Sequence, residues 1–143
     1  MQISSLLMEK QFGYMLIPNE ISRCPLYCTF ASTSPFSFQS VIPGYLTCTD
    51  IGRLLMVKNR ISGYECEAAA LDAIKKVKIR KNLFGQYVVD LTFCGEKKDV
   101  KCRIQIAKRI HGGDFFDQER HLETFLSIIQ KYDPNGQKNS LSF

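Results

Sequence analysis

The sequence predicts a mainly β fold, a small antiparallel β-barrel of about seven strands closed by a C-terminal α-helix, and three observations carry that prediction. Between residues 75 and 106, apolar and polar side chains alternate in three successive runs, the pattern of half-buried strands whose neighbouring side chains face opposite ways. The loops joining these runs are short, which favours an antiparallel meander. Residues 114–132, DFFDQERHLETFLSIIQKY, then carry the long amphipathic helix pattern of the chain. Phe115, Leu122, Phe125, Leu126, Ile129 and Tyr132 recur at helical spacing, while Gln118, Glu119, Glu123 and Lys131 fall mostly elsewhere. Such a stripe needs an apolar surface to cover, and the strands upstream supply one. With 143 residues, 45% of them apolar, the chain suits one domain with a substantial core.

Taken in order, residues 3–16 are partly periodic through Ile3, Leu6, Leu7, Phe12 and Met15, which suggests a short lead helix weakened by Gly13. Pro18, Asn19 and Glu20 make a turn, and 23–31 reads as a strand with Leu26, Cys28 and Phe30 on one face. Residues 32–43 form a loop carrying Phe36 and Phe38. Strands follow at 45–49 and 53–58, and the unbroken run Leu54, Leu55, Met56, Val57 implies burial on more than one side. A short strand at 64–67 leads into 68–74, read as a connection because it is too short to hold a helix by itself. Should that stretch form a true helix, the class becomes mixed α+β and closure is lost.

The three runs that follow are the clearest. In 75–81, Val77 and Ile79 face in while Lys76, Lys78 and Arg80 face out; in 87–93, Tyr87, Val89, Leu91 and Phe93 face in. In 100–106, Val100, Cys102, Ile104 and Ile106 face in, with Lys101, Arg103 and Gln105 outside. Gly112 and Gly113 break the chain before the last helix. Asp114 is placed to cap it, and Asp133, Pro134 and Gly136 end it.

Charge is unevenly spread. Residues 75–109 hold eleven Lys or Arg against Asp90, Glu96 and Asp99, a local charge of +8 in a chain whose total is +5. Cys24, Cys28, Cys48, Cys66, Cys94 and Cys102 lie within apolar strand patterns without a CxxC pair, so they read as buried thiols. His111 and His121 sit ten residues apart on different elements and do not suggest a shared metal. No cofactor or metal is expected. The start, MQISSLLMEKQFGYMLIPNE, lacks a basic region ahead of its apolar run, so no secretory signal is expected. No stretch approaches the ~18 uncharged apolar residues of a membrane span. The expected location is cytoplasmic, with membrane contact at most peripheral.

The phrases GYLTCTDIGRLLMV and AAALDAIKKVKI, set between strands and followed by one terminal helix, give the chain a familiar order. It resembles the bacterial pleckstrin-homology-like domains and the related GRAM domains, in which a "gE" turn leads to "G.L.lT..RL.f", to "i.l..I..V", and to a meander closed by a helix. The matching residues are Pro18, Asn19, Glu20, Ile21, Gly44, Leu46, Thr49, Arg53, Leu54, Leu71, Ile74 and Val77, and the match covers residues 17–132. Residues 1–16 form an N-terminal extension and 133–143 a polar tail read as disordered. Asp50, Ile51 and Gly52 stand where the family has one or two residues between Thr and Arg, which implies a longer turn or a bulge. Phosphoinositide-binding members of the wider superfamily place Lys and Arg around the first loop; residues 31–44 have none, so no lipid site is carried over.

The leading functional expectation is a non-catalytic interaction module, binding a protein partner or its own copies through the sheet face, a sheet edge or the loop with Phe36 and Phe38. The alternative is peripheral membrane recruitment. A basic face of Lys76, Lys78, Arg80, Lys101 and Arg103 would meet acidic lipid at ~1 kcal/mol per residue, and the loop tip of Leu83 and Phe84 would dip into the surface. Against these stand plainer readings: lysines that keep a sheet soluble, phenylalanines buried under their loop, and a tip folded back on its own strands. Nucleic acid is disfavoured because few aromatic stacking positions accompany the outward cations and no recognition helix is evident. Catalysis is not expected, since neither histidine has a sequence-supported partner beside a reactive Ser or Cys.

Overall fold

The computed structural model describes residues 3–31 and 41–135. Among them the chain forms α1 (Ser5–Met15), β1 (Leu26–Ala31), β2 (Val41–Cys48), β3 (Arg53–Arg60), β4 (Gly63–Ala70), a 3-10 turn (Leu71–Ala73), β5 (Ile74–Lys81), β6 (Tyr87–Phe93), β7 (Val100–Ile106) and α2 (Gln118–Tyr132). The strands make one antiparallel sheet in the order β4-β3-β2-β1-β7-β6-β5. The mainly β class with its C-terminal helix therefore stands, but the barrel does not close. The 3-10 turn carries the chain from β4 to β5 without pairing them, β5 bonds to β6 and β4 to β3, and among the described residues no further strand pairs with either edge.

The main core lies on the concave side of this sheet. Leu26, Leu46, Leu54, Val89, Leu91, Ile104 and Ile106 meet Leu122, Phe125, Leu126 and Ile129 of α2 there. Apolar burial of this kind contributes ~25 cal/mol per Å² and holds the helix as a lid across the bent sheet. A second core lies on the convex side, where Met8 and Phe12 of α1, one helical turn apart, cover Tyr45, Leu55 and Val57 together with Phe115. Strands β2 and β3 are thus buried on both faces, which accounts for the continuous apolar run Leu54 to Val57.

Local chemistry fixes the ends of α1. The Ser4 hydroxyl accepts from Leu7 N–H at 3.0 Å, and Asp114 Oδ1 accepts from Ser5 N–H at 2.7 Å. Asp114 therefore caps α1 and not the helix that follows it in sequence. That helix starts at Gln118 rather than 114, because residues 114–117 are spent on the turn that seats Phe115 in the convex core.

Other readings shift as well. Gln118, assigned to the polar face, is buried: its amide donates to the carbonyls of Tyr27 (2.8 Å) and Ala107 (3.1 Å) and accepts from Tyr27 N–H (3.0 Å), stitching α2 to β1. Strand β4 extends to Ala70, absorbing part of the stretch read as a connection. Cys24, Cys28 and Cys48 are buried and Cys102 is half-buried. Cys66 and Cys94 are exposed, one on the convex side of an edge strand and the other past the end of β6. The turn at Asp50, Ile51 and Gly52 is a compact hairpin in which Gly52 adopts φ +83°.

Candidate functional site

The basic residues named from the sequence come together on the convex face of β5, β6 and β7. Register places Lys76 and Lys101 on either side of Thr92, Lys78 and Arg103 on either side of Asp90, and Arg80 and Gln105 on either side of Val88. Lys76, Lys78, Arg80 and Lys101 are exposed. Val88, on the same face, is buried.

Arg103 is already engaged. Its Nε donates to Asp90 Oδ1 at 2.7 Å and its Nη2 to Oδ2 at 3.3 Å, a two-pronged pair that pushes the guanidinium pKa further up. The pair neutralises the carboxylate at the centre of the face. Among the described residues, no carboxylate lies within 4.0 Å of the ammonium groups of Lys76, Lys78 or Lys101. These lysines border a shallow depression of about 210 Å³ floored by Asp90 and Thr92. Its chemistry is that of a weak anion-attracting surface, with flexible ammonium donors around a neutral centre.

The tip of the β5–β6 hairpin lies at the end of the same face. Leu83 is 101% exposed and Phe84 88%, so the tip does not fold back on its strands. The loop is nonetheless ordered by Asn82. Its side-chain oxygen accepts from the N–H groups of Phe84 (2.9 Å) and Gln86 (3.0 Å), its amide nitrogen donates to Gln86 Oε1 (3.1 Å), and its carbonyl accepts from Gly85 N–H (3.1 Å). Gly85 completes the turn at φ +77°, a conformation that costs glycine little. Lys81 flanks the tip with its ammonium 5.0 Å from the Tyr87 ring centre. The role of Asn82 was missed from the sequence, although an Asn bonding the backbone two residues on is a recognised turn signal.

A groove of about 660 Å³ opens on the concave side beside β4. Phe30, Met56, Ala73, Phe93 and Cys102 line it, with Lys58, Glu67, Lys101 and Arg103 also at its walls. No sequence signal marks it, because it exists only where the two halves of the sheet bend apart. Phe36 and Phe38 lie outside the described residues. Among those described, no group of three or more His, Cys, Asp or Glu is placed to hold a metal ion, and no helix is long and apolar enough to cross a membrane.

No protein-family model and no curated protein matches this chain. Among solved structures it is similar to the hSac2 domain from human phosphoinositide phosphatase Sac2, with a TM-score of 0.56 at 12% identity, over 96% of this chain and 83% of that one. It is also similar, with a TM-score of 0.42 at 16% identity over 82% and 91% of the two chains, to a structure from work on mutations in SsgB that correlate to longitudinal cell division during sporulation of Streptomyces coelicolor. The first likeness shows a shared small antiparallel β-sheet fold.

Proposed function

We propose that this chain is a non-catalytic interaction module of pleckstrin-homology-like architecture that docks on acidic membrane surfaces through the β5–β6 hairpin and the basic convex face. The observation that carries the reading is the tip itself. Two adjacent large apolar side chains, Leu83 and Phe84, stand in solvent on a loop that Asn82 holds open. Their exposure costs free energy that a lipid interface relieves, at ~1.5 kcal/mol each for partial insertion. Lys76, Lys78, Arg80 and Lys81 follow along the same hairpin and add ~1 kcal/mol each near an anionic surface. The apolar part gives depth and the cations give selectivity for negative charge. The fold likeness contributes the scaffold only.

Co-sedimentation with vesicles of neutral lipid, and of neutral lipid mixed with phosphatidylserine, tests this at low and physiological salt. We expect binding to the acidic vesicles only. The double substitution Leu83→Asp/Phe84→Asp should weaken it roughly a hundredfold, as loss of about 3 kcal/mol implies. Replacing Lys76, Lys78 and Lys101 by Gln should weaken it at low salt and flatten its salt dependence. Failure to bind acidic vesicles at low salt would refute the proposal.

A further inference from the structure

Two buried thiols meet where the β1–β2 ladder is interrupted. Leu26↔Leu46 is the end pair of that ladder, and an isolated bridge joins Ser22 to Thr49 beyond it. Between the two, Arg23, Cys24 and Pro25 oppose only Thr47 and Cys48, so one side carries an extra residue, as in a β-bulge. Pro25 has no N–H to give, and side chains take over part of the bonding. Cys24 N–H donates to Thr47 Oγ1 at 3.2 Å, and Cys48 N–H donates to Cys24 Sγ at 3.3 Å. Cys48 is also held through its carbonyl, which accepts from Arg23 N–H at 2.8 Å.

The Cys24 sulfur therefore rests against the backbone of Cys48. Both residues belong to the main core on the concave side, and both are 0% exposed. Residues opposed across an antiparallel ladder have Cα atoms ~4.5 to 5.5 Å apart, within the ~4.4 to 6.8 Å that a disulfide spans. Among the described residues no other cysteine faces a thiol in this way. Cys28 pairs with Gly44, Cys66 with Val57 and Cys102 with Leu91, while Cys94 lies past the end of β6 with its N–H on the Ala73 carbonyl.

We infer that Cys24 and Cys48 are a redox pair, which a peroxide converts to a cross-strand disulfide within the native fold. Cys24 is the attacking sulfur. The Cys48 thiol and N–H both bond to it and hold its pKa below the ordinary thiol value against the opposing pull of burial, while the same bond pushes Cys48 up. Attack of the Cys24 sulfur on hydrogen peroxide breaks the O–O bond and leaves a sulfenic acid and one water. The Cys48 sulfur then displaces the sulfenic oxygen: the S–S bond forms, the S–O bond breaks, and the Cys48 proton leaves with that oxygen as a second water. The peroxide gains two electrons and the sulfur pair loses them. Burial slows entry of the oxidant and makes the neighbouring thiol, rather than a second peroxide, the next partner of the sulfenic acid. The bond fastens the segment after the Glu20 turn to the end of β2. This inference goes beyond the membrane reading and uses none of its residues, so failure of vesicle binding leaves it intact.

Peroxide treatment of the reduced full chain under native conditions tests it, in a Cys66→Ser/Cys94→Ser background that removes the exposed thiols and with them cross-linking between copies. Remaining thiols are alkylated after denaturation, and peptides are mapped without reduction. We expect a peptide joined through Cys24 and Cys48 as the main linked product, separated again by dithiothreitol and absent from Cys48→Ala. The linked protein should have a higher urea midpoint, with its unfolding constant lowered roughly a hundredfold by closure of the loop. The peptide map decides if Cys48→Ala fails to fold, since the map needs only the two native sulfurs. No linked peptide, linkage that appears only in urea strong enough to unfold the chain, linkage to Cys28 in comparable yield, or a linked protein with a lower midpoint than the reduced one would each overturn the inference.

Discussion

Glu20 and Arg53 show how a turn motif read from sequence becomes a structural joint. Arg53 Nε donates to Glu20 Oε2 at 2.8 Å, its Nη2 contacts Oε1, and the same nitrogen donates to the Met15 carbonyl at 3.0 Å. Glu20 also accepts from Ile17 N–H at 3.0 Å. The pair thereby ties the end of α1 to the start of β3. Bonding to Arg53 outweighs burial and lowers the Glu20 pKa from 4.5 to about 2. A depressed carboxylate adds stability that is fully present above its unfolded value and is lost as pH falls from 4.5 toward about 2. Glu20→Gln should therefore cost about 2 to 3 kcal/mol at neutral pH, below the ~3 to 5 for a fully buried pair because Arg53 keeps 27% of its side chain in water. It should also flatten the acid limb of a urea-midpoint titration. Parallel pH curves for the two proteins would count against this account. Gly44 was equally visible in the motif, and the reason lies in packing: a Cβ there would sit 2.0 Å from the Val57 carbonyl oxygen. Gln118 was misread because a polar residue beside a helix stripe looks solvated until the strand carbonyls it must satisfy are in place.

Among the elements, the strands of the β5–β7 meander were legible because alternation is a strong local signal and their loops are short. Helix α1 was harder to weigh. Leu6 and Tyr14 are each 74% exposed while Met8 and Phe12 are buried, so its apolar residues do not define one clean stripe. It nevertheless closes the convex core. Phe12→Ala should destabilise the protein by about 3 to 5 kcal/mol, the usual cost of truncating a buried phenylalanine, measurable as a lower urea midpoint. An unchanged midpoint would mean that α1 is dispensable. The start of α2 was placed too early for a related reason: the first turn of pattern, from Asp114, serves α1 and the convex core instead.

At the scale of the whole molecule, class and strand number were readable but closure was not. Whether β4 meets β5 depends on how far seven twisted strands bend, and no local pattern encodes that sum. What emerges is an open sheet with one charged edge, one neutral edge, and helices packed on opposite faces at different places. Because β2 and β3 are covered on both sides, they sit under two separate layers that must both lift before their amides meet water. Native-state hydrogen exchange should accordingly be slowest at Leu46, Leu55 and Met56 and fastest along the β5–β6 hairpin, which has α2 on one side only. The strands that hold the molecule together and the strands that meet the outside world would then belong to different opening units, so that a hairpin can yield to a surface without loosening the fold behind it.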